Sequence, residues 1–335
     1  MRKLLFLSTL LFTVFSCYEK RKQVDVSKVS IDFRFYRFDK DLLSLKNPGP
    51  TSEINLLAKK YGVFLNRYVE GIIQIGSLNR PDFGTNISAF LNDANIQNVY
   101  ADVQKEFEKD EDLQKELKAS LTLYHHYFPD RVVPHIATFI SGFNYPIAVT
   151  DSVLGIGLDM YMGSNYQFYK LLSLPNYQTL FMSRNHIVSD AISAWLQTEF
   201  ETNQVHQNLL NEIVYQGKLM YAAEYLMPEA EDSIRLKFSA KQLDWLKNSE
   251  QSIWKFFIEK NLFYSSKPSE NVKYINPAPF TAGMPKESPG RVGVWLGYKI
   301  VSAYMEQNPK FSLNDLMTQS DAQMILNRSH YKPNK

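Results

Sequence analysis

The sequence predicts an α+β fold in which helices dominate. Two adjoining stretches, 133–142 and 146–163, are rich in β-branched and apolar residues and read as strands. Elsewhere apolar residues recur at helical spacing, as in Ile54, Leu57, Ala58, Tyr61, Phe64, Leu65 and Tyr68. After a tyrosine-rich connector come two more helical segments, one carrying Arg184–Asp190 and one carrying Tyr215–Lys218. This strand, strand, helix, helix stretch, 133–228, is the part around which the chain is organised.

Composition sets the outer bounds. At 335 residues and 44% hydrophobic, the chain can bury a substantial core and is globular, not disordered. Its 22 Phe and 20 Tyr serve core and interface packing, with a sugar-stacking platform as the rival use. Net charge is +2, and without Arg2 and Lys3 the remainder carries 35 basic and 35 acidic side chains. So balanced a chain does not attract phosphate backbones, which excludes nucleic acid as a partner.

The N-terminus reads as a leader. Met1-Arg2-Lys3 is positive, and the apolar run 4–15 is too short to span a bilayer as a helix. Val14-Phe15-Ser16-Cys17 resembles a lipobox, with a small residue before the cysteine and a Phe15 bulkier than usual. The expectation is a lipoprotein signal peptide over 1–16, lipid on Cys17, a polar tether over 17–28 and one domain over 29–335. Cys17 is the only cysteine, so no intrachain disulfide can form and stability rests on the core.

Along that domain, alternation of Val29, Ile31, Phe33 and Phe35 with polar residues predicts a strand over 29–38. Arg37-Phe38-Asp39-Lys40-Asp41-Leu42 turns it into a short helix, which Asn47-Pro48-Gly49-Pro50 breaks. Thr51 and Ser52 open the next helix, Arg80–Gly84 is a turn, and 101–128 is a second helical region. Charges of alternating sign over 105–118 suit a solvated face. His125 and His126 project about 100° apart on a helix, a poor pair for one metal, and His135 lies inside a strand; all three are read as structural. There is no repeat and no long linker.

The helix pair carries the candidate chemistry. On a helical wheel Ile187, Val188, Ala191, Ile192 and Trp195 gather on one side, while His186, Asp190, Ser193 and Gln197 line the other. In a zinc protease, that i, i+4 spacing holds two histidines, with a glutamate after the first as general base. Here His186 keeps the first position, Ile187 replaces the base, and Asp190 replaces the second ligand. Where one clan of these enzymes has a third ligand before a glycine, this chain has Gln216-Gly217, with Glu212 a turn earlier. The expected fold is therefore a degenerate zincin-like core, edge strands followed by two cleft helices, with added N- and C-terminal helices. No catalytic residue, metal or cofactor is assigned. There is also no Gly-x-Ser-x-Gly elbow and no Walker-type loop, and Gly155-Ile156-Gly157 sits within a strand.

The C-terminal quarter adds Lys273-Tyr274-Ile275-Asn276-Pro277-Ala278-Pro279-Phe280-Thr281, then Ser288-Pro289-Gly290-Arg291-Val292-Gly293-Val294-Trp295-Leu296-Gly297-Tyr298. A tail over 321–333 follows. With the lipobox, the Arg37–Leu42 motif and Gly157-Leu158-Asp159-Met160-Tyr161-Met162-Gly163, this resembles the gliding-motility lipoprotein GldB family over nearly the whole mature chain. The resemblance implies an envelope lipoprotein needed for gliding and connected to type IX secretion. That family is itself distantly similar to membrane-associated proteins assigned as zinc peptidases. Gly290, Gly293 and Gly297 allow close backbone approach, and Arg291 near a helix start is a candidate binding residue for a carboxylate, with Asp159 as an internal alternative.

The expectation is thus a non-enzymatic, lipid-anchored envelope protein facing the periplasm. Its protease-like cleft would bind proteins of the motility and secretion apparatus. The rivals are a zinc metallopeptidase with drifted ligands and a carbohydrate-binding envelope module.

Overall fold

The fold combines many helices with one small four-stranded sheet. The computed structural model describes residues 24–45, 52–201 and 207–333. The leader, Cys17, most of the tether, the 47–50 break and Thr51 lie outside them. Strands β1 (Phe35–Tyr36), β2 (His135–Phe139), β3 (Ile147–Val149) and β4 (Val153–Gly157) take the order β1-β2-β4-β3. β2 pairs in parallel with β1 and with β4, whereas β3 runs antiparallel to β4 at the edge. Four of the five residues in both β2 and β4 are buried, which suits their near-continuous small and apolar sequences.

Two expected strands are corrected. The 146–163 run holds β3, a tight turn closed by the Thr150 amide on Val153 O (2.9 Å), β4, and a 3-10 turn at Leu158–Tyr161. The strand expected over 29–38 shrinks to the two residues that find a partner in β2. Upstream of them Ile31 and Phe33 pack part-buried against the core without joining the sheet.

Seven helical pieces precede or flank the first half of the sheet. They are α1 (Phe38–Leu43), α2 (Ser52–Tyr61), α3 (Val63–Arg67), a π-helical turn (Tyr68–Ile72), α4 (Phe83–Asn92), α5 (Ala94–Glu106) and α6 (Glu111–Tyr127). The apolar stripe from Ile54 to Tyr68 is buried apart from Ala58, which packs part-buried against the core. The single helical region expected over 101–128 is the end of α5 plus α6. Arg37 fills the break between them, donating to Phe107 O (2.9 Å) and Asp110 (2.8 Å). The same guanidinium grips Asp39 through two bonds of 2.9 and 2.7 Å. Asp39 is fully buried and also accepts from Thr138 of β2 and Gln104 of α5. The Arg37-Phe38-Asp39 motif therefore ties four elements together.

The second half is helical throughout. It comprises α7 (Gln167–Leu171), α8 (Asn176–Thr179), a 3-10 turn (Arg184–His186), α9 (Ile187–Glu199) and α10 (Leu209–Leu226). Then come α11 (Asp232–Arg235), α12 (Ala240–Asn248), α13 (Glu250–Glu259), a 3-10 turn (Leu262–Tyr264) and α14 (Pro268–Ile275). The last three are α15 (Val292–Gln307), α16 (Leu313–Thr318) and α17 (Ala322–Ser329). Asn208 caps α10 through the Asn211 amide, and Ser239 opens α12 with a reciprocal capping box. α10 is buried on nearly every side, as a helix apolar all round must be, and α15 lies along it.

Candidate functional site

The two faces of α9 fall where its spacing places them. Ile187, Val188, Ala191, Ile192 and Trp195 are buried in the core. Asp190, Ser193 and Gln197 turn to a cavity of about 520 Å³. α10 supplies Gln216, Leu219 and Met220 to the opposite wall, and Tyr161, from the turn after β4, closes one end. Pro146 and Ile147 bring the β3 edge to it, while Phe181 and Met182 come from the connector before α9. Lys237 and Phe238, just beyond α11, and Arg291, at the start of α15, complete the lining with Arg235.

Electrostatics centre on Asp190. Its carboxylate takes the Lys237 ammonium at 2.6 Å and the Tyr161 hydroxyl at 2.9 Å, with only 12% of its side chain exposed. Burial, and next the Asp190 charge, drive the Tyr161 phenol well above its ordinary range, so it stays a donor. Arg291 stacks over Phe238, with 5.3 Å from guanidinium to ring, and its one side-chain hydrogen bond among the described residues is a 3.5 Å contact to Lys237 O. Its side chain is part-buried, and that burial lowers it to about 10, opposed by Asp190, so it is still a cation at neutral pH. Lys237 (φ 52°) and Arg291 (φ 63°) both sit in the left-handed backbone region. Non-glycine residues seldom adopt it, and such conformations concentrate where a fold holds a side chain for a purpose.

The residues singled out in the sequence separate into two groups. Asp190, Gln216 and Arg291 meet at the cavity. His186 does not. Residues 184–186 form a 3-10 turn ahead of α9, so the helical wheel does not extend back to His186. Its imidazole is 8% exposed, bonds Ser183 Oγ through Nδ1 at 3.0 Å, and packs edge-on against Phe181 at 5.3 Å. It stands one layer behind the wall instead of on a wet face. Burial lowers its pKa below the ordinary histidine value, which favours the neutral ring. Glu212 also lies elsewhere, buried and accepting from Asn271 at 3.0 Å. Asp159 is not Arg291's partner, since it accepts the Ser141 and Phe143 amides at 3.0 and 2.7 Å.

These residues do not fit the zinc that the protease resemblance implies. Asp190 is already engaged by a cation and a phenol, His186 is turned away, and Gln216 offers only an amide. Arg235, Lys237 and Arg291 around the cavity would repel a dication. Among the described residues no three His, Cys, Asp or Glu side chains converge as a ligand set.

Sequence reasoning missed Lys237, Phe238, Arg235 and Phe181. A signal existed in Arg235-Leu236-Lys237-Phe238, where basic and apolar residues alternate. Leu236 and Phe238 anchor the segment in the core, which leaves the two cations to line the cavity.

What fold and cavity define is a helix-rich α+β body built round one charged cleft. A family model described as gliding motility protein GldB matches residues 19–333, and the chain belongs to that family. Membership carries a role in gliding motility, and the family is one of lipoproteins, which points to a membrane-anchored place in the cell envelope. No helix among the described residues is long and apolar enough to cross a membrane. Comparison with curated proteins and with solved structures returns no match.

Proposed function

We propose that this protein is held to a membrane by lipid on Cys17, faces the periplasm, and serves gliding as a non-catalytic binding component linked to type IX secretion. In this reading the cavity between α9 and α10 is where a partner of the motility and secretion apparatus engages. Its architecture is read as a degenerate zincin-like core, with the antiparallel edge strand β3 beside a cleft walled by two helices.

The observation that carries the reading is the state of Asp190. The side chain standing at the second ligand position is locked to Lys237 and Tyr161. The neighbouring position that would need a proton acceptor is Ile187, wholly buried. What is left is a cleft with cationic side chains in its walls, which suits recognition.

The test is complementation of a non-gliding deletion strain with Arg291→Glu and Gln216→Trp, alongside cross-linking and mass spectrometry on native envelopes. Loss of gliding together with loss of a cross-linked partner, at unchanged protein level, is the expected result. Normal gliding with an unchanged set of partners would overturn it.

A further inference from the structure

The cavity's charges do not cancel. Lys237 is matched by Asp190 and Arg235 by Asp232, both as ion pairs. Arg291 feels the Asp190 charge but has no carboxylate at ion-pair distance and no short side-chain hydrogen bond among the described residues. Its remaining guanidinium nitrogens are not sealed in protein, and the residue lines the cavity. A part-buried cation with spare donors aimed into a cavity favours an anionic occupant. One unmatched positive charge calls for one negative charge, and a planar guanidinium fork matches a carboxylate in two parallel bonds.

Part of the lining near Arg291 is apolar. Phe238 lies beneath the guanidinium, and Phe181, Met182, Leu219 and Met220 face the same space. Methionines adapt to the shape of what they contact. A volume of about 520 Å³ falls within the range of sites for small molecules or short chain ends.

We propose that this cavity is a receptor site for an organic monocarboxylate with an apolar body, its carboxylate on Arg291 and its body among Phe181, Met182, Leu219, Met220 and Phe238. This rests on reading the cleft as a binding surface. A free acid and a peptide chain end with an apolar last residue share this chemistry.

The test is isothermal titration of the full-length lipidated protein in nanodiscs. The probes are 4-phenylbutyrate and acetyl-Ala-Ala-Phe with a free carboxyl end, each paired with its neutral amide. Saturable binding of an acid, with its amide at least tenfold weaker, is expected, because a charge-assisted bond to a part-buried cation is lost. Arg291→Gln should lose binding at least tenfold, and Arg291→Lys should keep part of it. Binding of phenylbutyrate alone assigns the site to free acids; binding of the peptide alone assigns it to chain ends. Binding of neither acid, or amides equal to acids, overturns the proposal. The acid against amide comparison uses the unaltered protein, so it decides even where Arg291→Gln fails to fold. Acid binding combined with normal gliding of the cleft variants would leave this site standing while removing its role in motility.

Discussion

Gly217 of α10 lies against the backbone of Gly297 of α15, so close that a Cβ on Gly217 would come within 2.3 Å of the Gly297 carbonyl. A Cβ on Gly297 would strike Ile213 O at 1.7 Å. Two glycines at this crossing let the central helices touch backbone to backbone, and the crossing sets the spacing of the walls that carry Gln216 and Arg291. Gly297→Ala has no flexible neighbour to push aside and should cost about 3 kcal/mol or more. Denaturant unfolding should show a lower midpoint at unchanged slope. An unchanged midpoint would mean that the helices separate without penalty.

The Arg37–Asp39 clamp should behave as a buried pair. Arg37→Met leaves Asp39 buried without its main partner and should cost about 3–5 kcal/mol. Arg37→Met combined with Asp39→Leu should recover a good part of that loss, because no uncompensated charge remains. A double variant as unstable as the sum of the two singles would show that the pair is not coupled.

Asp159 gives a pH dependence with a definite sign. Burial raises its pKa from 3.8 to about 6, against the lowering effect of the Ser141 and Phe143 amides. Its proton is therefore bound more tightly in the folded state. The stability this contributes is complete below about pH 3.8 and is lost as pH rises through about 6. Asp159→Asn should flatten the melting temperature across that window relative to the unaltered protein. Parallel profiles would assign the dependence to other groups.

Metal content separates the scaffold reading from the drifted peptidase. Protein purified without chelators should hold far less than one zinc per chain, and His186→Ala should leave that figure unchanged. Stoichiometric zinc lost on His186→Ala would favour the peptidase.

Cys17→Ala addresses the anchor. The variant should leave the membrane fraction and partition into the aqueous phase of a detergent separation, with an unchanged melting temperature. Retention in the membrane would place the attachment elsewhere.

The legible parts of this chain were those governed by local periodicity. The buried side of α9, its cavity side from Asp190 to Gln197, and the stripe from Ile54 to Tyr68 all follow from spacing that the structure keeps. Gly297 announced a close approach, though its partner did not show. Gly217 stood out only as the glycine after Gln216, and it is the contact point of α10 with α15. His186 was misplaced because a 3-10 turn precedes α9, and nothing in the spacing marks where the first full helical turn begins. Lys237 and Phe238 reach the cavity from about 50 residues beyond Asp190, a tertiary relation that no local pattern records. Lys218 is a further case. Buried inside α10, it donates to Met317 O and Gln319 O at 3.2 and 2.7 Å, and burial lowers it to about 8.

The clamp at Arg37 also has a mechanical meaning. The N-terminal segment joins the folded body first through Ile31 and Phe33 and then through β1, which lies alongside β2 in parallel register. Tension along that strand would shear its bonds together instead of peeling them singly. Immediately behind it, one guanidinium bolts the strand's end to Asp39, Phe107 and Asp110. The body is therefore reinforced where its N-terminal segment joins the sheet.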